Sequence, residues 1–416
     1  MFRKSFPLLF LVLTLVAASA GAQEPVRLRA LAVSGHQDFV PPIRAQEQGF
    51  NERYTDIQVE IDVVMASWPD FQEKFTVMLL GGTAPDLVMG GAGAYEQFVN
   101  ENIFLPLDKY IARDKVDLNN FFPGPLSATM VNGKYYSLPG GTSTRAVAYN
   151  QNMFAENGIA PPRFKWGWYE DVLPIARKLT DREREPHRYG LAFWVWHGAH
   201  HLGDIAAIIW GHDGDILNED QTRFILGNPE GTEAMEFIIS LINDYKVFPD
   251  NFDALGHFMA ANLGMWFAGS WDSKILANAP FDVGWAAQPY GPKADVATGG
   301  GGPSYTIVST TKYPDEAWEF IKFVSSPQGQ LLTNDMPSHR GAVPEYLRRT
   351  PPYEDREVFV YNLNRSRMES WPARMPEVYQ LLNQSGWQDM LTGKIPFRAF
   401  IDDVTPRINQ ILGSTK

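Results

Sequence analysis

The stretch from Trp68 to Gly90 constrains the fold more than any other. Phe71, Phe75, Met78 and Leu79 recur at i, i+4, i+7 and i+8, which draws one apolar stripe along a helix. Gly81-Gly82 follows, and glycine readily takes the left-handed conformation that closes a helix. After Thr83-Ala84-Pro85-Asp86 come the apolar run Leu87-Val88-Met89 and three small residues, Gly90, Gly91 and Ala92. Helix, tight turn, short buried strand and glycine-rich loop form half of an α/β unit. Open α/β sheets bind ligands in loops beyond the carboxyl ends of their strands. Taken alone, the stretch also reads as ordinary turn punctuation around glycine and proline.

What precedes it supports the α/β reading. Residues 26–33 alternate and then turn apolar, residues 57–64 repeat the pattern, and a helix ending at 50–54 lies between. Strand, helix, strand, helix, strand implies a parallel sheet with right-handed crossovers. A chain of 416 residues exceeds what one core usually supports, so two domains are expected.

The first 22 residues stand apart. Arg3 and Lys4 precede an apolar run to Ala18, and Ala20-Gly21-Ala22 has the small-x-small form of a cleavage site. This reads as a secretory signal peptide, too short for a comfortable membrane span. No cysteine is present, which excludes a disulfide framework, a thiol nucleophile, a cysteine zinc site and a lipoprotein tether. Free diffusion in a periplasm fits. Net charge is −12, and a globally acidic chain is a poor partner for nucleic acid or anionic membranes. Aromatic residues make up 13%, with 12 Trp, so flat apolar surfaces must lie in cores or in a ligand cleft.

Further along, Asn132-Gly133 suggests a hairpin turn, and residues 137–150 an extended crossing broken by small polar residues. Residues 153–179 are helical, with Pro174 marking a break or late start. Residues 232–245 keep one face apolar and read as the clearest helix. Residues 263–268 form a buried strand ending in Gly269-Ser270-Trp271-Asp272, and 283–287 are extended. The run Gly299 to Gly302 precedes a strand at 305–308. Pro314, Asp315 and Glu316 suit a helix start, and residues 344–416 look helical.

In this order the pieces resemble the extracellular solute-binding proteins that serve ABC sugar transporters, the maltose-binding and glycerol-phosphate-binding group. The resemblance is carried by Phe71 to Asp86, Gly133-Lys134-Tyr135-Tyr136 with Leu138-Pro139, and Tyr149-Asn150 through Phe154 to Gly158. Gly269-Ser270-Trp271, residues 317–323 and Pro327-Gln328-Gly329-Gln330 continue it. It implies the α/β two-lobed periplasmic binding protein fold (type II-like), with a ligand cleft between lobes joined by hinge crossings. The first lobe would take 23–142 plus 283–334, the second 143–282 plus 335–416. The implied partners are a small-molecule carbohydrate and a membrane permease of an ABC transporter. A monomer without cofactor or metal is expected.

A sugar offers hydroxyls at its rim and apolar C–H faces, so a good site pairs aromatic platforms with charge-assisted hydrogen bonds. Trp271, at a strand end beside Asp272, is the first choice of platform. Asp38 and Asp86 are assigned to loops at the carboxyl ends of first-lobe strands, as hydroxyl acceptors. Ser143 and Arg145 fall at the first crossing. Gly301 lets backbone N–H groups approach a ligand, and Arg340 matches the family's arginine near the second-lobe return. Trp194 and Trp196 share one face by alternation. The nearby His197, His200 and His201 lack the spacing and intervening glutamate of a metalloprotease helix. Glycerol phosphate as ligand would require a cationic pocket, for which Arg145 and Arg340 are the candidates. A secreted glycoside hydrolase stays open, needing two carboxyls roughly 5–9 Å apart, as does a structural envelope protein.

Overall fold

The computed structural model describes residues 24–34, 37, 40–66, 68–90, 96–162, 164–193, 198–251, 253–333, 336–349, 356–368, 371–372 and 374–413. β1 (Val26–Ser34) and β2 (Ile57–Met65) pair in parallel over their whole length, Val26 opposite Ile57 and Ser34 opposite Met65. β3 (Leu87–Met89) flanks β1 on the other side, also parallel. Alternation along β1 feeds two cores. Leu28, Ala30 and Ala32 pack with Phe50 of the helix Val40–Arg53, whereas Leu31 and Val33 pack with Phe71 and Phe75 of the helix Trp68–Leu80. Cover on both faces is what a parallel sheet requires.

The local signals hold. Gly82 takes φ +67°, its N–H donates to the Leu79 carbonyl at 3.1 Å, and the Thr83 N–H donates to the Met78 carbonyl at 2.9 Å. These are the paired bonds of a left-handed glycine cap. Asn132 and Gly133 both have positive φ, turning β4 (Met130–Val131) back onto β5 (Lys134–Tyr135).

β6 (Ser143–Asn150) opens a second sheet and is buried from Thr144 onward. β7 (Tyr189–Ala192) runs parallel to β8 (Leu263–Gly269), which is antiparallel to β6. On the other edge of β6, β9 (Val283–Ala286) covers Val147 to Asn150 and β10 (Ala297–Gly300) covers Ser143 and Thr144. Residues 283–300, which the expected boundary at 282/283 assigned to the first lobe, pair with β6 and complete the second sheet. A buried strand must have both edges hydrogen-bonded, and β6 finds the partners for its second edge there. The chain regains the first sheet with β11 (Tyr305–Ile307), antiparallel to β3. The helix Pro314–Ser325 then packs Ala317, Phe320, Ile321 and Val324 beside Phe50. β12 (Ser366–Met368) lies parallel to β10, in a region expected to be helical throughout. The other expected boundary, 334/335, falls outside the described residues.

Among the described residues, three stretches of chain lie side by side between the sheets. The Thr142 N–H donates to the Met336 carbonyl at 2.8 Å, and the Thr142 hydroxyl to the Gly300 carbonyl at 3.1 Å. Gln330 Nε2 and the Ser338 hydroxyl both donate to the Pro139 carbonyl. A Cβ on Gly140 would run into the Pro303 carbonyl and the Val324 side chain. Close backbone approach is the reason for glycine there.

β6 hands over directly to the helix Gln151–Glu156. The buried Asn150 side chain accepts the Met153 N–H at 2.9 Å as its N-cap. Asn150→Ala is expected to lower unfolding stability by about 1 kcal/mol, read as a lower urea midpoint with an unchanged slope. No described helix is long and apolar enough to cross a membrane.

Candidate functional site

Strand direction determines which residues meet at the crossings. β6 starts at the first crossing, so its amino end and the carboxyl end of antiparallel β8 lie together, with Arg145 opposite Gly269. After Gly269 the chain makes a one-turn 3-10 helix, Ser270–Asp272. Asp272 Oδ2 accepts the Gly269 N–H at 2.8 Å and closes the turn. The turn leaves Trp271 with 37% of its surface exposed, unlike Trp168, Trp266, Trp318 and Trp387, which are fully buried. The indole fills the space that a side chain on Gly269 would need. Arg145 stands over the same ring, its guanidinium carbon 5.5 Å from the centroid.

Behind this ring lies a buried ion pair. Arg145 Nε donates to Asp204 Oδ1 at 2.6 Å, with side chains 10% and 3% exposed. Asp204 occupies the first turn of the helix Leu202–Gly211, all of whose residues are buried. His201 Nδ1 is 3.4 Å from Asp204 Oδ2. Burial by itself would raise the Asp204 carboxyl, but Arg145 and then His201 outweigh it and hold the group below its ordinary value. Asp272 goes the other way. Burial pushes its carboxyl up to about 6; the Gly269 N–H opposes this, Asp204 adds to it, and Arg145 opposes it.

The other expected residues fall differently. Asp86 lies at the amino end of β3, not at a carboxyl end. Its Oδ2 accepts the Arg29 N–H at 2.8 Å and its Oδ1 the Thr311 hydroxyl at 2.5 Å. It ties three segments at the end of the sheet away from the crossings, because β3 begins only at Leu87. The Ser143 hydroxyl donates to the Gly301 carbonyl at 2.9 Å and joins two crossings. Gly301 is exposed, and a Cβ there would meet open space. Arg340 is exposed at the third crossing, with its guanidinium carbon 4.3 Å from the Phe122 ring centroid. Asp38, Trp194 and Trp196 lie outside the described residues. Among the described residues no group of three His, Asp or Glu is arranged to hold a metal ion.

A family model described as bacterial extracellular solute-binding protein matches residues 34–331. The chain belongs to this family. This solute-binding protein is 28% identical over 389 residues to a Brucella abortus (strain 2308) protein named only as a binding protein, covering 90% of this chain and 87% of that one. It is 25% identical over 291 residues to the maltotriose-binding protein of Pyrococcus abyssi (strain GE5 / Orsay), covering 68% of this chain and 60% of that one. Its fold matches the cyclic α-maltosyl-1,6-maltose binding protein of Arthrobacter globiformis with a TM-score of 0.79 at 20% identity, over 94% of this chain and 99% of that one. The fold is thus that of the two-lobed α/β binding proteins. As a member of a binding family the protein is not an enzyme, and the hydrolase alternative is set aside.

The sequence does not single out Asp204, and His201 is weighed there as a metal ligand against solvent or sugar contact. The available signal was a single carboxylate inside the apolar run 202–211, since a buried charge requires a partner. In this solute-binding protein the partner is Arg145, a residue already singled out. The exposed ring can stack on an apolar ligand face, and the guanidinium, oriented by Asp204, can hydrogen-bond its polar rim.

Proposed function

We propose that this protein captures a neutral carbohydrate between its lobes and delivers it to an ABC permease, as a monomer exported to the periplasm. The observation that carries this reading is the exposed Trp271 ring beside the Arg145–Asp204 pair, at the crossing end of the second sheet. An indole stacks on the C–H face of a pyranose, and fixed polar groups meet its hydroxyls. Two relatives named for malto-oligosaccharides point in the same direction. A polyol phosphate is less well served: Arg145 is neutralised by Asp204, and Arg340 stands over Phe122. Asp272 belongs to the same wall, and Asp38, Trp194 and Trp196 are retained on sequence grounds as its partners. We place the lobe boundaries at 142/143, at 301–304 and before Met336. Ligand contacts made from both lobes favour the closed form, since equal affinity for open and closed forms would shift nothing.

The test is a thermal-shift and calorimetric screen with glucose, maltose, maltotriose, maltotetraose and glycerol 3-phosphate. At a hundredfold excess over Kd a neutral sugar should add about 2.7 kcal/mol of stability, and it should be recovered chemically unchanged. A response to glycerol 3-phosphate alone, or to none of the compounds, would remove this reading.

A further inference from the structure

We infer that Asp204 sets the charge preference of the binding site, so that uncharged sugars are taken and carboxylate- or phosphate-bearing ones are refused. This rests on the carbohydrate reading above. Three observations carry it. The Asp204 side chain is 3% exposed and sits in a helix whose every residue is buried, where its charge is met by Arg145 and by His201 Nδ1 at 3.4 Å. Its Oδ1 holds Arg145 Nε at 2.6 Å, and that guanidinium lies over the ring a ligand would stack on. A second carboxylate, Asp272, 6% exposed, closes the turn that presents the same ring.

A buried ion pair is poor evidence for stability, because well-packed apolar residues of similar size usually do as well. What such a pair does supply here is orientation and charge. Arg145 is fixed by a partner that also cancels its field, so a ligand at Trp271 meets a polar group without a net attraction for anions. An anionic sugar would face two carboxylates behind one guanidinium, and like charges repel with little screening in a partly buried site. Asp204 touches no ligand in this scheme. It is a positioning residue acting through Arg145.

Asp204→Asn keeps the shape and an acceptor oxygen but removes the negative charge hydrogen-bonded to the guanidinium. Binding of maltotriose and of maltotrionate, the same trisaccharide with its reducing end oxidised to a carboxylate, is measured on wild type and variant by calorimetry. The expected result is a wild type that prefers maltotriose and a variant whose preference moves toward maltotrionate by about fivefold, more strongly at low salt than at high salt. An unchanged ratio of the two affinities in a folded variant overturns the inference while leaving the carbohydrate reading intact. A wild type that binds no sugar overturns both. Should Asp204→Asn fail to fold, the double variant Arg145→Met with Asp204→Leu replaces the pair by apolar groups. It should melt near the wild-type temperature yet lose maltotriose affinity severalfold. Full affinity in that variant would mean that the pair has no part in recognition.

Discussion

Trp271→Ala is expected to weaken neutral-sugar binding by at least tenfold while leaving the melting temperature nearly unchanged. The two halves of this expectation have separate physical causes. A side chain still 37% exposed, lying on the surface of a short turn, has little core packing to lose. A sugar that covers about 60 Å² of the indole gains roughly 1.5 kcal/mol from apolar area alone. Tenfold in affinity corresponds to about 1.4 kcal/mol. Trp271→Phe should recover part of the loss because a smaller ring still stacks. A companion variant, Gly269→Ala, tests geometry without removing the ring. The backbone at 269 has φ −91°, which any residue adopts, but a Cβ there collides with the indole. It should displace the ring and weaken binding in the same direction. Calorimetric titration with a thermal melt on each variant decides the matter, and normal affinity in Trp271→Ala would take the residue out of the site.

Asp272→Asn should make the protein more stable at neutral pH and remove part of its pH dependence. Folding buries the Asp272 carboxyl and raises it from its ordinary 3.8 to about 6, so the protonated form is the one that suits the native state. Its contribution is fully present below pH 3.8 and is lost as pH rises through 6, because there the native state binds more protons than the unfolded chain. The displacement corresponds to roughly 3 kcal/mol. Asparagine keeps an acceptor for the Gly269 N–H and has no charge to desolvate. Wild type and variant are expected to coincide near pH 4, and the variant to be ahead by up to roughly 3 kcal/mol at pH 7.5. Urea unfolding at pH 4, 5, 6 and 7.5 measures the difference, and parallel stability curves would contradict the account.

What could be read from the chain by itself is what is local. The stripe Phe71, Phe75, Met78, Leu79 with its glycine stop, the Asn132-Gly133 turn, the strands at 26–33, 57–64 and 263–268, and Trp271 at a strand end beside Asp272 each announce themselves within about one element. Their order carries the family resemblance. Backbone periodicity and turn chemistry operate over a few residues, so a few residues suffice to reveal them.

Tertiary structure decided the rest. Only pairing across more than a hundred residues shows that 283–300 close the open edge of β6. The site of Asp86 followed from hydrogen bonds to Arg29 and Thr311, one far before it and one far after. The helix Leu202–Gly211 has no polar face, hence no period to read, and its one carboxylate became intelligible only when Arg145 from β6 was found against it. A charge is stabilised by whatever space brings near it, and what is near in space is not written in neighbouring letters.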